Sequence, residues 1–124
     1  MNTPLKRVLI VEDDESIRDS TKELLELEGY TVECAKDGEE GIQTLRYSEV
    51  LPDLILLDLM MPIKDGFQFR LEQQQDPKLA QVPVVIMTAD GHAEQKKERL
   101  NAKGYIKKPS DIETILEVVK QCCP

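Results

Sequence analysis

Five short apolar runs recur about every 25 residues, each followed by a stretch of helical periodicity. They are Arg7-Val8-Leu9-Ile10-Val11, Thr31-Val32-Glu33-Cys34-Ala35, Leu54-Ile55-Leu56-Leu57, Val84-Val85-Ile86-Met87 and Tyr105-Ile106-Lys107. The first reads as a strand buried on both faces, and the third is the most apolar. Strand and helix alternating five times specify an α/β chain, a parallel sheet with helices on both faces.

The helical segments carry their own signals. Ile17, Thr21, Leu24, Leu25 and Glu28 give the first helix a narrow inner face, and Gly29 stops it. Asp37-Gly38 turns the chain into a second helix with Ile42 and Leu45 inward. Pro62 and Asp65-Gly66 precede a third, from about Gly66 to Gln75. Pro83 sits at a strand start, where its missing N–H is tolerated. A basic fourth helix covers about Ala93 to Leu100. Ser110 can cap the last one, in which Ile112, Ile115, Leu116 and Val119 repeat. No repeat, low-complexity tract or linker is visible, so residues 1–124 are expected to form one domain without an effector domain.

Composition removes several function classes. A net charge of −8 argues against binding nucleic acid or anionic membrane. No apolar run reaches the roughly 18–20 residues of a membrane span, and Met1 to Lys6 lacks a signal-peptide core, so a cytoplasmic protein is expected. Cys34, Cys122 and Cys123 are odd in number, and with His92 the sole histidine they lack zinc spacing. Cys122-Cys123-Pro124 is no prenylation box, because Gln121 holds the required position. The thiols read as a small apolar residue in a strand and a frayed tail, and His92 as a loop residue.

Parallel strands end on one side of the sheet, where such sheets bind ligands. At those ends stand Glu12-Asp13-Asp14, Asp58, Thr88-Ala89 and Lys108-Pro109. Four distant segments should thus bring carboxylates, a hydroxyl and an amine together. Clustered carboxylates repel, so one is protonated or a cation binds. Hard oxygen ligands without His or Cys select Mg²⁺ or a relative. With a divalent ion present, Asp58 can attack a phosphoryl group, while Lys108 and the Thr88 hydroxyl take phosphoryl oxygens. Singly the residues have duller roles: the three acids could serve the first helix dipole, threonine ends many strands, and most lysines are solvated. Asp58 is harder to dismiss, since four apolar residues precede it and burying a charge is costly.

On these motifs the sequence resembles the receiver domain of two-component response regulators, including the single-domain chemotaxis type. The resemblance rests on Val11-Glu12-Asp13-Asp14, Leu57-Asp58-Leu59-Met60-Met61-Pro62 with Asp65-Gly66, Met87-Thr88-Ala89, and Tyr105-Ile106-Lys107-Lys108-Pro109, and spans about Lys6 to Lys120. It implies a flavodoxin-like doubly wound fold, five parallel strands in order 2-1-3-4-5 flanked by five helices. It also implies that Asp58 is the phosphoacceptor, fed by a phosphohistidine on a sensor histidine kinase. Glu12, Asp13, Asp58 and the Met60 backbone carbonyl would hold Mg²⁺ or Mn²⁺, Lys108 would pair with the phosphoryl group, and Thr88 and Tyr105 would be the switch hydroxyl and aromatic. The Lys108–Pro109 bond is cis in many relatives, a geometry only proline makes cheap. Such a protein takes part in its own phosphorylation and dephosphorylation and is not an enzyme.

The sequence departs from the family pattern at Ser110, where relatives commonly have Phe. Met60 and Asp90 occupy the positions that tune hydrolysis of the phosphorylated form, and Asp14 is assigned to capping the first helix. An aspartyl-phosphate hydrolase would usually carry a second acid where Met60 stands. A flavodoxin-like mononucleotide binder needs a Ser/Thr/Gly loop where the three acids stand. A degenerate receiver that works without phosphorylation is a further alternative, although every required residue is present. Output must leave by contact with a protein partner, or by a phosphorelay in which the phosphoryl group passes to a histidine phosphotransfer protein. From Gln95 to Lys108, six basic residues face one acid, Glu98. Lys108 aside, Lys96, Lys97, Arg99, Lys103 and Lys107 form either a solvated face or a docking surface for an acidic partner, on the side of helix 4, strand 5 and helix 5.

Overall fold

The computed structural model describes residues 6–89 and 91–123. Strands β1 (Arg7–Val11), β2 (Thr31–Ala35), β3 (Leu54–Asp58), β4 (Val84–Thr88) and β5 (Gly104–Lys107) alternate with helices α1 (Glu15–Leu27), α2 (Gly38–Tyr47), α3 (Gly66–Gln75), α4 (Ala93–Arg99) and α5 (Ile112–Cys122). The strands form one parallel sheet in the order β2-β1-β3-β4-β5, as the resemblance implied. No helix among the described residues is long and apolar enough to cross a membrane.

Strand alternation divides the core in two. Leu9, Val11, Ile55, Leu57, Val84 and Ile86 pack with Ile42 and Leu45 of α2 and Phe69 of α3. Val8, Ile10, Leu54, Leu56, Val85, Met87 and Ile106 pack with Leu25 of α1 and Val119 of α5. β3 and β4 are buried throughout, which is why their sequences are continuous apolar runs. Each buried aliphatic side chain contributes roughly 1.5–3 kcal/mol, and in β3 and β4 the polar residue comes only at the C-terminal end.

Asp14, Asp37, Asp65 and Asp111 cap α1, α2, α3 and α5, accepting from the N–H of Ile17, Glu40, Gln68 and Thr114. Asp14 therefore has the capping role read from the sequence. Asp111 replaces Ser110 as the cap of α5: its carboxylate reaches the Thr114 N–H at 2.8 Å, and a carboxylate also complements the helix dipole. Ser110 donates instead to the Asp111 carbonyl.

The helix faces are narrower than expected. In α1, Thr21 and Leu25 are buried and Leu24 half-buried, while Ile17 and Glu28 are exposed. In α5, Val119 is buried and Ile112 exposed. Ile17 and Ile112 stand in the first turn of their helix and Glu28 at its C-cap. The tail is not frayed: Cys122 and Cys123 are buried in the α1–α5 side of the core, and the Cys123 N–H donates to the Val119 carbonyl at 2.8 Å. Asp90 and Pro124 lie outside the described residues.

Candidate functional site

Three strands deliver their next residue to one place. Glu12 continues the face of Val8 and Ile10, Asp58 that of Leu54 and Leu56, and Lys108 that of Ile106, so all three stand at the C-terminal rim on the α1–α5 side. Glu12 is fully buried and Asp58 is 3% exposed. Asp13, one residue on, is exposed. Carboxylate oxygens of Glu12, Asp13 and Asp58 lie within 4.8 Å of one another.

Lys108 Nζ stands 2.6 Å from Glu12 Oε1 and 3.4 Å from Asp58 Oδ1. The other Glu12 oxygen accepts from the Asp14 N–H at 3.2 Å, and Asp58 Oδ1 accepts from the Met60 N–H at 3.2 Å. Burial, reinforced by Glu12 beside it, pushes the Asp58 carboxyl up to about 7, against the pull of Lys108 and the Met60 N–H. Burial also opposes the Lys108 charge, but its bond to Glu12 and the field of Asp58 outweigh that and raise its pKa. One ammonium cannot neutralise three carboxylates. An all-oxygen donor set with this surplus of negative charge fits a hard divalent cation.

The loop after β3 is held tightly against the site. The Leu59 N–H donates to the Met87 carbonyl and the Gly66 N–H to the Leu59 carbonyl, both at 3.1 Å. A Cβ at Gly66 would lie 2.7 Å from the Asp58 carbonyl oxygen and the Leu59 Cα, so only glycine allows α3 to start this close to the phosphoacceptor candidate. Lys64 Nζ pairs with Glu39 of α2 at 2.8 Å and Glu72 of α3 at 2.6 Å, tying the loop to both helices.

These features coincide with a known family. The family model described as the response regulator receiver domain matches residues 8–120. The chain belongs to that family. PilH of Pseudomonas aeruginosa is 32% identical over 117 residues, 93% of this chain and 95% of PilH. The chemotaxis protein CheY of Halobacterium salinarum is also 32% identical over 117 residues, covering 92% and 93%. The DNA-binding transcriptional regulator RpaA of a Synechocystis strain is 39% identical over 118 residues, but the chain spans only 48% of its length. Among solved structures, the chemotaxis response regulator CheY4 of Vibrio cholerae superposes with a TM-score of 0.87 at 29% identity, over 96% of this chain and 99% of CheY4.

Of the receiver's remaining candidates, Thr88 sits at the same rim and Tyr105 lies further down β5, away from it. Thr88, 1% exposed, is one residue past Met87, the register partner of Asp58. Its carbonyl accepts from the Lys108 N–H at 2.8 Å. Tyr105 pairs in register with Ile86 and is 36% exposed, so by alternation Thr88 and Tyr105 share the α3–α4 side of the sheet. The Lys108–Pro109 bond is cis. Met60 is exposed, with its N–H on Asp58. Sequence reasoning missed Arg18 and Lys64, which hold the two loops that frame the site. Arg18 had one legible signal, a cation early in α1, where the helix dipole disfavours it.

Proposed function

We propose that the chain is a cytoplasmic response regulator that accepts a phosphoryl group on Asp58 from a phosphohistidine of a sensor histidine kinase. The observation that carries this reading is a buried aspartate at the end of β3 with Lys108 3.4 Å away and two further carboxylates within 4.8 Å. An Asp58 oxygen forms the new P–O bond as the donor's P–N bond breaks, and the leaving imidazole takes a proton. Lys108 holds one phosphoryl oxygen, and the Thr88 hydroxyl takes another by moving toward it. Glu12, Asp13, Asp58 and the Met60 carbonyl would hold Mg²⁺ or Mn²⁺, which when bound supplies positive charge for the phosphoryl oxygens. Tyr105 turns inward as Thr88 moves, and the change reaches a protein partner through α4, β5 and α5. The test is intact mass after incubation with acetyl phosphate. Wild type should gain one phosphoryl mass in Mg²⁺ and none with chelator, and Asp58→Asn should gain none. A gain that persists in Asp58→Asn yet disappears in Glu12→Ala overturns the assignment.

A further inference from the structure

The β1–α1 loop presents two of the three acids, and its shape is held from one side by a residue the chemistry does not use. Arg18, half-buried in the second turn of α1, folds back over the loop. Its Nη1 donates to the Glu12 carbonyl at 2.8 Å and lies 3.4 Å from the Asp13 carbonyl. The Arg18 backbone N–H meanwhile donates to the Asp14 carbonyl at 2.9 Å. One residue therefore binds the backbone of all three successive acids. The same loop is fixed from its other end by the Asp14 cap on Ile17 and by the Asp14 N–H on Glu12. The Nη1 contact is the one that spans the Glu12 and Asp13 carbonyls; the Glu12 N–H is held separately, on the Ala35 carbonyl at 3.0 Å, so Asp13 is the acid that depends most on the guanidinium.

We infer that Arg18 is a positioning residue for the divalent-cation site: it clamps the backbone of Glu12 and Asp13 so that both carboxylates converge on Asp58. The inference rests on the reading of Glu12, Asp13 and Asp58 as a cation site. It carries a prediction whose sign separates it from simple electrostatics. A cation close to the site repels Mg²⁺, so removing its charge should by Coulomb's law tighten Mg²⁺ binding. Removing a clamp should weaken it, because the carboxylates must then be ordered when the ion binds. Groups that orient ligands from outside the coordination shell are typically worth about tenfold or more in metal affinity.

The experiment is an Mg²⁺ titration of wild type, Arg18→Met, Arg18→Lys and Asp13→Ala, read as the rise in melting temperature above each variant's own metal-free value. Met keeps the apolar stem and removes the donors, and Lys keeps the charge with a single donor head. Arg18→Met should bind Mg²⁺ about tenfold more weakly, with Arg18→Lys between it and wild type. The same order should appear in Mg²⁺-dependent labelling by acetyl phosphate. An Arg18→Met that binds Mg²⁺ as tightly as wild type, or more tightly, overturns the clamp. Should Arg18→Met be too unstable to read, an Arg18→Lys that matches wild type overturns it. Failure of the underlying reading looks different: wild type and Asp13→Ala would then respond alike to Mg²⁺.

Discussion

Asp58 is a carboxylate in a place that favours its neutral form, and stability should record that. Glu12, Asp13 and Lys108 face it, and burial with Glu12 alongside raises its pKa from 3.8 to about 7. Between those values the native state holds a proton that the unfolded chain releases, so stability falls as pH rises from about 4 to about 7. At about 1.4 kcal/mol per pKa unit, the part of that loss that falls between pH 5 and pH 8 is on the order of 3 kcal/mol. Urea melts with chelator at pH 5 and pH 8 measure it against Asp58→Asn, which should lack this component and be the more stable protein at pH 8. Equal pH slopes in the two proteins would show that Asp58 ionises normally. Saturating Mg²⁺ should flatten the wild-type slope. Ile63 presents a second conflict. Its φ is +68°, a β-branched side chain in the left-handed region, with the Lys64 N–H on the Pro62 carbonyl at 2.7 Å closing a three-residue turn around it. It is 80% exposed, so little packing compensates. Asn tolerates this conformation, and Ile63→Asn should stabilise the protein by about 1 kcal/mol. A denaturation midpoint that does not move would mean the turn holds no such strain.

At the scale of elements, α3 shows where sequence reading stops. Its position from Gly66 to Gln75 was legible from Asp65-Gly66, yet its faces were not. Arg70 and Gln73 are buried, whereas Leu71 is 61% exposed. Arg70 Nε donates to the Leu100 carbonyl and Nη2 to the Asn101 carbonyl, both at 2.9 Å, and Nη1 donates to Gln73 Oε1 at 2.8 Å. Gln73 passes its own donors to the Leu79 and Val82 carbonyls. The polar pair thus ends α4 and the loop before β4, a task set by tertiary neighbours that no local period encodes. Arg70→Leu should destabilise by about 1–3 kcal/mol, because it leaves the buried Leu100 carbonyl without its donor. An unaltered urea midpoint would show that water replaces the guanidinium. Strands were easier to read: β3 and β4 are enclosed on both faces, so burial alone writes their sequence. The caps at Asp14 and Asp37 were equally local. The exposed ends of α1 and α5, and the buried Cys122 and Cys123, depend on where the sheet stops.

For the whole molecule, parallel topology made the site legible: once the strands are known, their C-terminal residues must share one rim. That logic found Glu12, Asp58, Thr88 and Lys108. It could not find Arg18 and Lys64, whose roles depend on how loops fold back. The rim also connects the two faces of the sheet. Glu12, Asp58 and Lys108 continue the α1–α5 side, while Thr88 and Tyr105 share the α3–α4 side, and the Lys108 N–H on the Thr88 carbonyl joins them. A phosphoryl group on Asp58 adds negative charge and acceptor oxygens on the first side. The Thr88 hydroxyl, proposed to move toward them, would carry the change to the second side, where Tyr105 and Lys107 stand exposed. Such couplings are typically about 1–3 kcal/mol, roughly 5–150-fold in partner affinity. The measurement is the ratio of partner affinities with and without beryllofluoride, in wild type and Thr88→Ala. The mutant should still bind Mg²⁺, since Thr88 is not among the carboxylate ligands, yet lose most of that ratio. If Thr88→Ala keeps the full ratio, the signal crosses the sheet by another route, and the hydroxyl–aromatic switch is wrong for this receiver.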